Sequence, residues 1–204
     1  MLHLLMIFLL LAVNTTLVSA GTWDDCNQDD DIERSIRGCT GIIESGPDSR
    51  DKLSVAYNNR GVAHRAKGET DRAIADFDRA IELNPEYALA YVNRGNIYHY
   101  IKDELDRAIA DYDRAIELNP KYVIAFYNRA LAYSDKDETD RAIADYTQAI
   151  KFGPKDSEAY ANRGGLYHTD GDKERAIADY RKALELNPSD EVARDGLKEL
   201  GETP

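Results

Sequence analysis

The side chains best suited to binding chemistry are asparagines that recur at nearly equal spacing. Each begins an Asn-Arg-Gly or Asn-Arg-Ala triplet, and the four are Asn59, Asn93, Asn128 and Asn162. A primary amide has two donor hydrogens and one acceptor oxygen, so it can pair with a peptide N–H and a peptide C=O together. Asparagine is a poor helix former, so its repeated use inside helices requires a reason. Two interpretations remain open: the amides form a column that contacts the backbone of a bound segment, or they pack beside the neighbouring unit of the chain.

The sequence contains no arrangement of residues that is typical of a catalytic site. It has no Gly-rich phosphate loop, no HExxH, no GxSxG and no Cys–His nucleophile pair. The acidic cluster at Asp29–Asp31 lacks the alternating acids and the turn glycine of a calcium loop. We therefore expect a protein that is not an enzyme and that uses no cofactor and no metal.

The net negative charge of the chain disfavours some classes of binding partner. The chain of 204 residues contains 26 Lys and Arg against 38 Asp and Glu, a net charge of −12 at pH 7. This charge repels the phosphates of nucleic acids and the surface of an anionic membrane, so both are disfavoured as partners. A hydrophobic content of 43% with 13 tyrosines excludes a disordered chain. We expect a protein or peptide partner that is neutral or basic.

The first 20 residues have the pattern of a secretory signal peptide. Leu4–Val13 is an uncharged apolar run, and Val18–Ala20 forms a cleavage site before Gly21. The run is shorter than the roughly 20 apolar residues that a membrane-spanning helix needs. The segment before it has no Lys or Arg, so an uncleaved anchor is the alternative. We expect an exported protein, periplasmic or secreted, with the bacterial periplasm favoured and no integral span after signal removal.

Two cysteines, Cys26 and Cys39, closely follow the predicted cleavage site. Because export places the chain in an oxidising compartment, a disulfide between them is the favoured prediction. Closing so short a loop contributes about 3 kcal/mol in the chain-entropy model. Two buried free thiols are the alternative. A metal site is disfavoured because no third ligand is spaced near the pair.

The strongest pattern in the sequence is an internal repeat. The sequence Arg-Ala-Ile-Ala-Asp, followed by Tyr or Phe, begins at Arg72, Arg107, Arg141 and Arg175. The units end at prolines spaced by 35, 34 and 34 residues, namely Pro85, Pro120, Pro154 and Pro188. A period of this length is typical of a solenoid, in which each unit buries its apolar face against its neighbours.

Each unit is predicted to form two helices. In the second helix of the first unit, apolar residues recur with the helical period: Ala73, Ile74, Phe77, Ala80 and Ile81. Thr70 or Asp71 is predicted to cap its start. Asn84 is predicted to cap the next helix, with Pro85 in its first turn. A small residue recurs inside the first helix, which spans about Leu53 to Ala66 in the first unit, and it indicates close helix approach: Gly61, Gly95, Ala130 and Gly164.

These units resemble tetratricopeptide repeats. The family consensus places large, small and aromatic residues at fixed positions, for which the first unit supplies Tyr57, Gly61, His64, Ala73, Phe77, Ala80 and Pro85. The resemblance covers four units, 54–87, 88–122, 123–156 and 157–190, with one extra residue between Ile101 and Leu105. It implies an all-α fold, a right-handed α-solenoid of antiparallel helix pairs. Residues 21–53 are predicted to be a leader with a capping half-repeat, and residues 191–204 a capping helix and tail.

The resemblance also implies a concave groove, lined by the first helix of each unit, that holds an extended segment of a partner. The predicted groove residues are Asn59, Asn93, Asn128, Asn162, Arg65, Asn96, His99, Tyr100 and Tyr127. We therefore expect a non-catalytic protein–protein interaction scaffold. The alternative is a structural or assembly component of an envelope complex that acts through repeat stacking or its convex face. The pattern of the Hsp90-type carboxylate clamp is absent, because only Asn93 matches it.

An arginine follows each recurrent asparagine, and an aspartate recurs on each second helix. We expect these to form bidentate pairs with a structural role. The arginines are Arg60, Arg94, Arg129 and Arg163, and the aspartates are Asp76, Asp111, Asp145 and Asp179.

Overall fold

The computed structural model describes residues 22–27, 30–46 and 49–203, so the predicted signal peptide lies outside the described residues. Within these ranges the regular secondary structure is helical throughout. The helices are α1 Trp23–Cys26, α2 Ile32–Ser45, α3 Arg50–Ala66, α4 Thr70–Leu83, α5 Ala88–Tyr100, α6 Leu105–Leu118, α7 Val123–Asp135, α8 Thr139–Phe152, α9 Ser157–Thr169, α10 Lys173–Leu186 and α11 Glu191–Glu199. Among the described residues, no helix is both long and apolar enough to cross a lipid bilayer.

Helices α3 to α10 form four antiparallel pairs. α3 packs against α4, α5 against α6, α7 against α8 and α9 against α10. The second helix of each pair also contacts the first helix of the next pair, and α2 contacts α3 in the same way. Packing between neighbours along the chain is the arrangement of a solenoid. The predicted all-α solenoid is confirmed.

The turn inside each pair depends on one residue with left-handed backbone. Glycine takes this place in the first and fourth pairs, with φ of 79° at Gly68 and 82° at Gly171. Asp103 and Asp137 take it in the other two, with φ of 54° and 58°. Glycine meets no steric penalty there, and aspartate tolerates the conformation better than most residues. The turn from α5 to α6 has one residue more than the others, as the extra residue in the sequence predicts.

Two predictions of helix starts were wrong. Thr70 is the first residue of α4 rather than its cap, and the capping residue Glu69 makes no side-chain cap hydrogen bond. Asn84 is the C-cap residue that follows α4 and does not cap α5, which begins at Ala88. The Asn84 side chain accepts a hydrogen bond from the Glu86 backbone N–H at 3.0 Å. Asparagine and proline together stabilise a turn of this kind, because the amide bonds backbone two residues ahead and proline fixes φ.

The recurrent glycines permit the helices of a pair to approach closely, as predicted. A Cβ added at Gly95 would lie 2.8 Å from the ring of Tyr112, and one added at Gly164 would lie 2.9 Å from the ring of Tyr180. Both rings are buried. The third pair has the completely buried Ala130 at the same position. Each second-helix aromatic ring thus fills the space that a larger first-helix side chain would occupy.

Gly164 and its neighbour Gly165 provide a matched test of this packing. We expect Gly164→Ala to destabilise the protein by about 2 kcal/mol, because the added methyl overpacks the core against Tyr180. Gly165→Ala should instead stabilise it by up to about 1 kcal/mol, because alanine is the better helix former. Its Cβ would lie 3.7 Å from the Tyr180 hydroxyl, an ordinary contact. Urea denaturation of both variants checks the prediction, and equal effects at the two positions would contradict it.

Arginine–aspartate pairs link the helices within and between pairs. Arg94 donates two hydrogen bonds to Asp111 of its own pair, at 2.9 and 2.6 Å. Its remaining Nη1 donates to Asp78 of the preceding pair at 2.6 Å. The predicted pairing within units is present in all four, through Arg60, Arg94, Arg129 and Arg163. A contact with the preceding pair, or with α2 in the case of Arg60, was not predicted, and it is made to Thr40, Asp78, Asp113 and Thr147.

Burial and charge act in opposite directions on these groups. Burial alone would lower the pKa of Arg94, but the hydrogen bonds and charges of Asp111 and Asp78 raise it above its usual value. Burial raises the pKa of Asp111, and Arg94 opposes that shift. Arg94 is therefore protonated at physiological pH. The contact between pairs is a charged hydrogen bond, the stronger class of hydrogen bond.

Several contacts fix the leader helix α1 to α2, among them the ion pair of Arg34 with Asp25. Cys26 and Cys39 form a disulfide, which confirms the predicted pairing. Ser35 Oγ donates a hydrogen bond to the carbonyl oxygen of Cys26 at 3.0 Å. Where the two helices cross, a Cβ added at Gly38 would lie 2.5 Å from the Cβ of Asp25. The leader therefore rests directly on the backbone of α2.

Candidate functional site

The first helices of successive pairs lie side by side and are joined by side-chain hydrogen bonds. We call the surface formed by α3, α5, α7, α9 and α11 the first-helix face. Asn93 Nδ2 donates to Asn58 Oδ1 at 2.9 Å, which joins α5 to α3. Asn128 Nδ2 donates to Asn96 Oδ1 at 2.8 Å, which joins α7 to α5. α5 also contacts α7 directly, and α9 contacts α11.

The recurrent asparagines all donate toward the preceding element. Asn59 Nδ2 donates to Asn27 Oδ1 in the leader at 2.7 Å, and Asn162 Nδ2 donates to the hydroxyl of Tyr127 at 3.0 Å. Asn128 is only 8% exposed. Packing between units thus uses one N–H of each amide. The second N–H of each amide is not used in this packing, and no described residue donates to the Oδ1 of Asn93. Contact between these atoms and the backbone of a bound segment stays a prediction.

Two further predicted groove residues, Asn96 and His99, make contacts between neighbouring units. Asn96 Oδ1 accepts from the hydroxyl of Tyr112 at 2.8 Å as well as from the next pair. His99 is buried, and its Nε2 lies 2.6 Å from a carboxylate oxygen of Asp135 on α7. Its ring stacks on Tyr100 with centroids 4.1 Å apart. Tyr100 itself is 58% exposed, which leaves its ring accessible to a partner.

A cavity of about 450 Å³ opens at the N-terminal end of the first-helix face. We call it the leader cavity, and its walls include Asn27, Asn59, Val62, Arg65, Leu89 and Asn93. The leader supplies one side, while α3 and α5 supply the others. Three predicted groove residues meet here, although they belong to two different units.

A second cavity, of about 340 Å³, lies at the C-terminal end of the same face. Its walls include Tyr127, Glu158, Asn162, Glu191 and Val192. The Tyr127 hydroxyl accepts from Asn162 and donates to Glu158 Oε2 at 3.1 Å. Burial raises the pKa of Tyr127, and the charge of Glu158 raises it further. The phenol is therefore neutral and remains a donor at physiological pH.

An exposed apolar stripe on this face was missed by the sequence analysis. It consists of Leu89, Ile124 and Val192, which are 37%, 52% and 56% exposed. Each is the second residue of its helix, in α5, α7 and α11 respectively. The signal was available, because the three residues are separated by 35 and 68 positions, one and two repeat lengths. The equivalent second residue of α9 is Glu158, so Leu89 and Ile124 are on neighbouring first helices while Val192 lies two units beyond Ile124. Exposed apolar side chains that share a face are typical of an interaction surface.

The first-helix face thus offers amide and phenol groups beside apolar side chains, which suits recognition of another polypeptide. The described residues contain no group of three or more His, Cys, Asp or Glu side chains that could hold a metal ion.

The family models that match this chain all describe the same repeat. Family models described as "Tetratricopeptide repeat" match residues 54–87, 77–110 and 127–191. A model described as "TPR repeat" matches residues 99–137. Together they span the four helix pairs. No curated protein matches the sequence.

Solved structures share this architecture. The crystal structure of MamA is 28% identical with a TM-score of 0.69, and the likeness covers 78% of this chain and 90% of that one. PilW, a type IV pilus biogenesis factor, is 18% identical with a TM-score of 0.72, covering 84% and 79%. The first TPR domain of Spaghetti (RPAP3), bound to an HSP90 peptide, is 21% identical with a TM-score of 0.58, covering 62% and 99%. At these identities the last two show the fold alone.

Proposed function

Because the chain belongs to the tetratricopeptide repeat family, we propose that it is a non-catalytic scaffold that holds an extended segment of a partner protein on its first-helix face. This face is the concave one in the family. The partner is a protein or peptide of neutral or basic net charge, since the chain has a net charge of −12.

The observation that supports this proposal most strongly is the exposed apolar stripe. Leu89, Ile124 and Val192 leave apolar surface in contact with water, and covering that surface with a partner would be favourable. Neighbouring first helices are about 10 Å apart, while alternate side chains of an extended chain are about 7 Å apart on one face. About three residues of extended chain span the distance between neighbouring first helices, so an extended segment can cross them with apolar side chains against Leu89 and Ile124 and its backbone beside the amides.

Among the three solved structures, RPAP3 is described as bound to an HSP90 peptide. The clamp pattern for such acidic C-termini requires lysine and arginine where this chain has Ile124 and Asn128. The mode of binding proposed here is therefore different. It uses apolar contacts and amide hydrogen bonds in the middle of the face instead of a cluster of cations.

We further propose that the protein acts outside the cytosol, in the periplasm or as a secreted protein. The disulfide between Cys26 and Cys39 supports this, because such bonds persist in oxidising compartments. The signal-peptide pattern of residues 1–20 agrees with it.

Selection of peptides on the purified, oxidised protein tests the proposed function. A phage-displayed library of random dodecapeptides should yield binders. We expect Ile124→Glu to weaken their binding at least about tenfold, as loss of a central apolar contact does, with no fall in melting temperature because Ile124 is half exposed.

Ala110→Glu is the matched control, because Ala110 is exposed on the second helix α6. It should leave peptide affinity unchanged. If Ala110→Glu abolished binding while Ile124→Glu did not, the partner would bind the convex side, and the assembly hypothesis would replace this one. Both affinities are measured by fluorescence anisotropy.

A further inference from the structure

The N-terminal end of the first-helix face is completed by a part of the chain outside the four helix pairs. Cys26 and Asn27 of the leader line the leader cavity, as do Ile32 and Ser35 of α2. The disulfide holds this wall in place. The leader cavity is therefore a preformed feature with one fixed end.

A directional chain of amides passes along the leader cavity. Asn93 donates to Asn58 at 2.9 Å, Asn58 donates to Asn59 at 3.2 Å, and Asn59 donates to Asn27 at 2.7 Å. The two middle amides, Asn58 and Asn59, each donate a hydrogen bond through Nδ2 and accept one through Oδ1. Such chains polarise their members and strengthen the remaining donors. Each Nδ2 has a second N–H. Asn58 is buried, whereas Asn59 and Asn93 are partly exposed in the wall, so these two amides have a donor available to a ligand.

Of the described residues in the wall of the leader cavity, Arg65 is the one cation, and it is half-buried. Every other arginine of the first helices α3, α5, α7 and α9 donates a hydrogen bond to a carboxylate or carbonyl oxygen. Arg65 makes no hydrogen bond or ion pair with any residue in the described part of the chain. The described wall residues include no Asp or Glu. Among the described residues, Arg65 therefore has no counter-charge in the cavity wall, and several donors lie beside it.

We propose that the leader cavity binds the carboxylate side chain of an aspartate or glutamate in the partner segment. This rests on the proposed function and defines one subsite of the same face. The planar guanidinium of Arg65 matches a carboxylate through two parallel hydrogen bonds. A single cation balances a singly charged group and not a doubly charged phosphate. The apolar walls, Val62 and Leu89, contact the methylene stem.

The subsite is compatible with a partner of neutral or basic net charge. The subsite requires one acidic residue at one position of the bound segment. The net charge of the rest of the partner governs its long-range attraction to this negatively charged protein. The position of Arg65 also sets the direction of the bound segment, because the C-terminal cavity contains Glu158 and Glu191 in its wall and repels an acidic residue.

The test compares peptides selected on the wild-type protein, on Arg65→Gln and on Arg37→Gln. Arg37 is an exposed arginine of α2 outside the leader cavity, so its variant is the matched control. Phage-displayed peptides joined through their C-terminal ends have no free terminal carboxylate. We expect one acidic position to be enriched on the wild type and on Arg37→Gln but not on Arg65→Gln.

The selected peptide is then synthesised with Glu and with Gln (or Asp and Asn) at the enriched position, each amidated at the C-terminus. The neutral replacement should weaken binding to the wild type about tenfold, the usual size of a charged hydrogen-bond contact. On Arg65→Gln the two peptides should bind equally.

The outcomes separate the two proposals. Peptides that bind without an acidic preference, or an acidic preference that Arg65→Gln leaves intact, would overturn the carboxylate subsite alone. A copy of the peptide synthesised with a free C-terminal carboxylate is the third arm, and binding by this copy but not by the amidated one would overturn the assignment to a side chain. Absence of any selected peptide would overturn the proposed function and the subsite with it.

Discussion

Arg129→Ala is expected to destabilise the protein by about 3 kcal/mol or more, the usual cost of breaking a buried ion pair from one side. Arg129 donates two hydrogen bonds to Asp145, at 2.6 and 2.7 Å, and a third to Asp113 of the preceding pair. The Asp145 side chain is 8% exposed, so removing the guanidinium leaves a buried carboxylate without its partner. Urea denaturation followed by far-UV circular dichroism measures the change in the free energy of unfolding.

Asp113→Thr is the control, because threonine already occupies the equivalent place on α8, in the third pair. There Arg163 donates to the hydroxyl of Thr147 at 3.0 Å. Asp113 is 47% exposed, so its loss should cost less than about 1 kcal/mol, as for a partly exposed ion pair. A cost at Asp113 equal to that at Arg129 would show that the bond between pairs, and not the buried carboxylate, dominates.

Replacing both cysteines with serine is expected to weaken attachment of the leader by about 3 kcal/mol in the chain-entropy model. The bond closes a loop across 13 positions between Cys26 and Cys39. Because a solenoid transmits stability mainly between neighbours, the loss should be confined to α1, α2 and the adjoining α3. Binding of acidic peptides at the leader cavity should fall in parallel, since the wall that contains Asn27 is released.

Native-state hydrogen exchange of the double variant, Cys26→Ser with Cys39→Ser, checks this localisation. Amides of α2 should exchange faster, while those of α7 and α8 keep their protection and serve as an internal control. Unchanged protection in α2 would mean that packing at Gly38 and the Ser35 hydrogen bond hold the leader without the disulfide. Equal loss throughout the chain would contradict a stability that is local to each unit.

The sequence predicted the arrangement of the fold because the fold is built from short-range patterns. Apolar residues such as Ala73 and Phe77 recur with the helical period, and the repeat of the whole unit shows that neighbouring units pack alike. The close approach at Gly95 was predictable from its small size. The starts of the helices were less predictable from the sequence. Asn84 is a residue type that suits both a helix cap and a turn, and in the structure its side chain accepts a hydrogen bond from the Glu86 N–H, which forms the turn.

The candidate site was predicted less completely than the fold. Asn59 and Arg65, both predicted groove residues, line one cavity, yet no pattern indicated that the leader supplies its other wall. Asn96 and His99 were expected to face a partner, and both are engaged between units. Polar residue types alone do not distinguish these roles, since an amide or imidazole can bond a neighbour as well as a ligand.

The sequence by itself determined the all-α class, the length of the repeating unit, the disulfide and the pairing of arginine with aspartate inside each unit. Only the tertiary structure decided which amides bond across a boundary, which apolar residues stay exposed and that Arg65 lacks a counter-charge in the described chain. The physical reason is distance along the chain. Helix periodicity and capping act over a few residues, whereas the contact from Asn93 to Asn58 joins positions 35 residues apart, and it forms only when two pairs have packed.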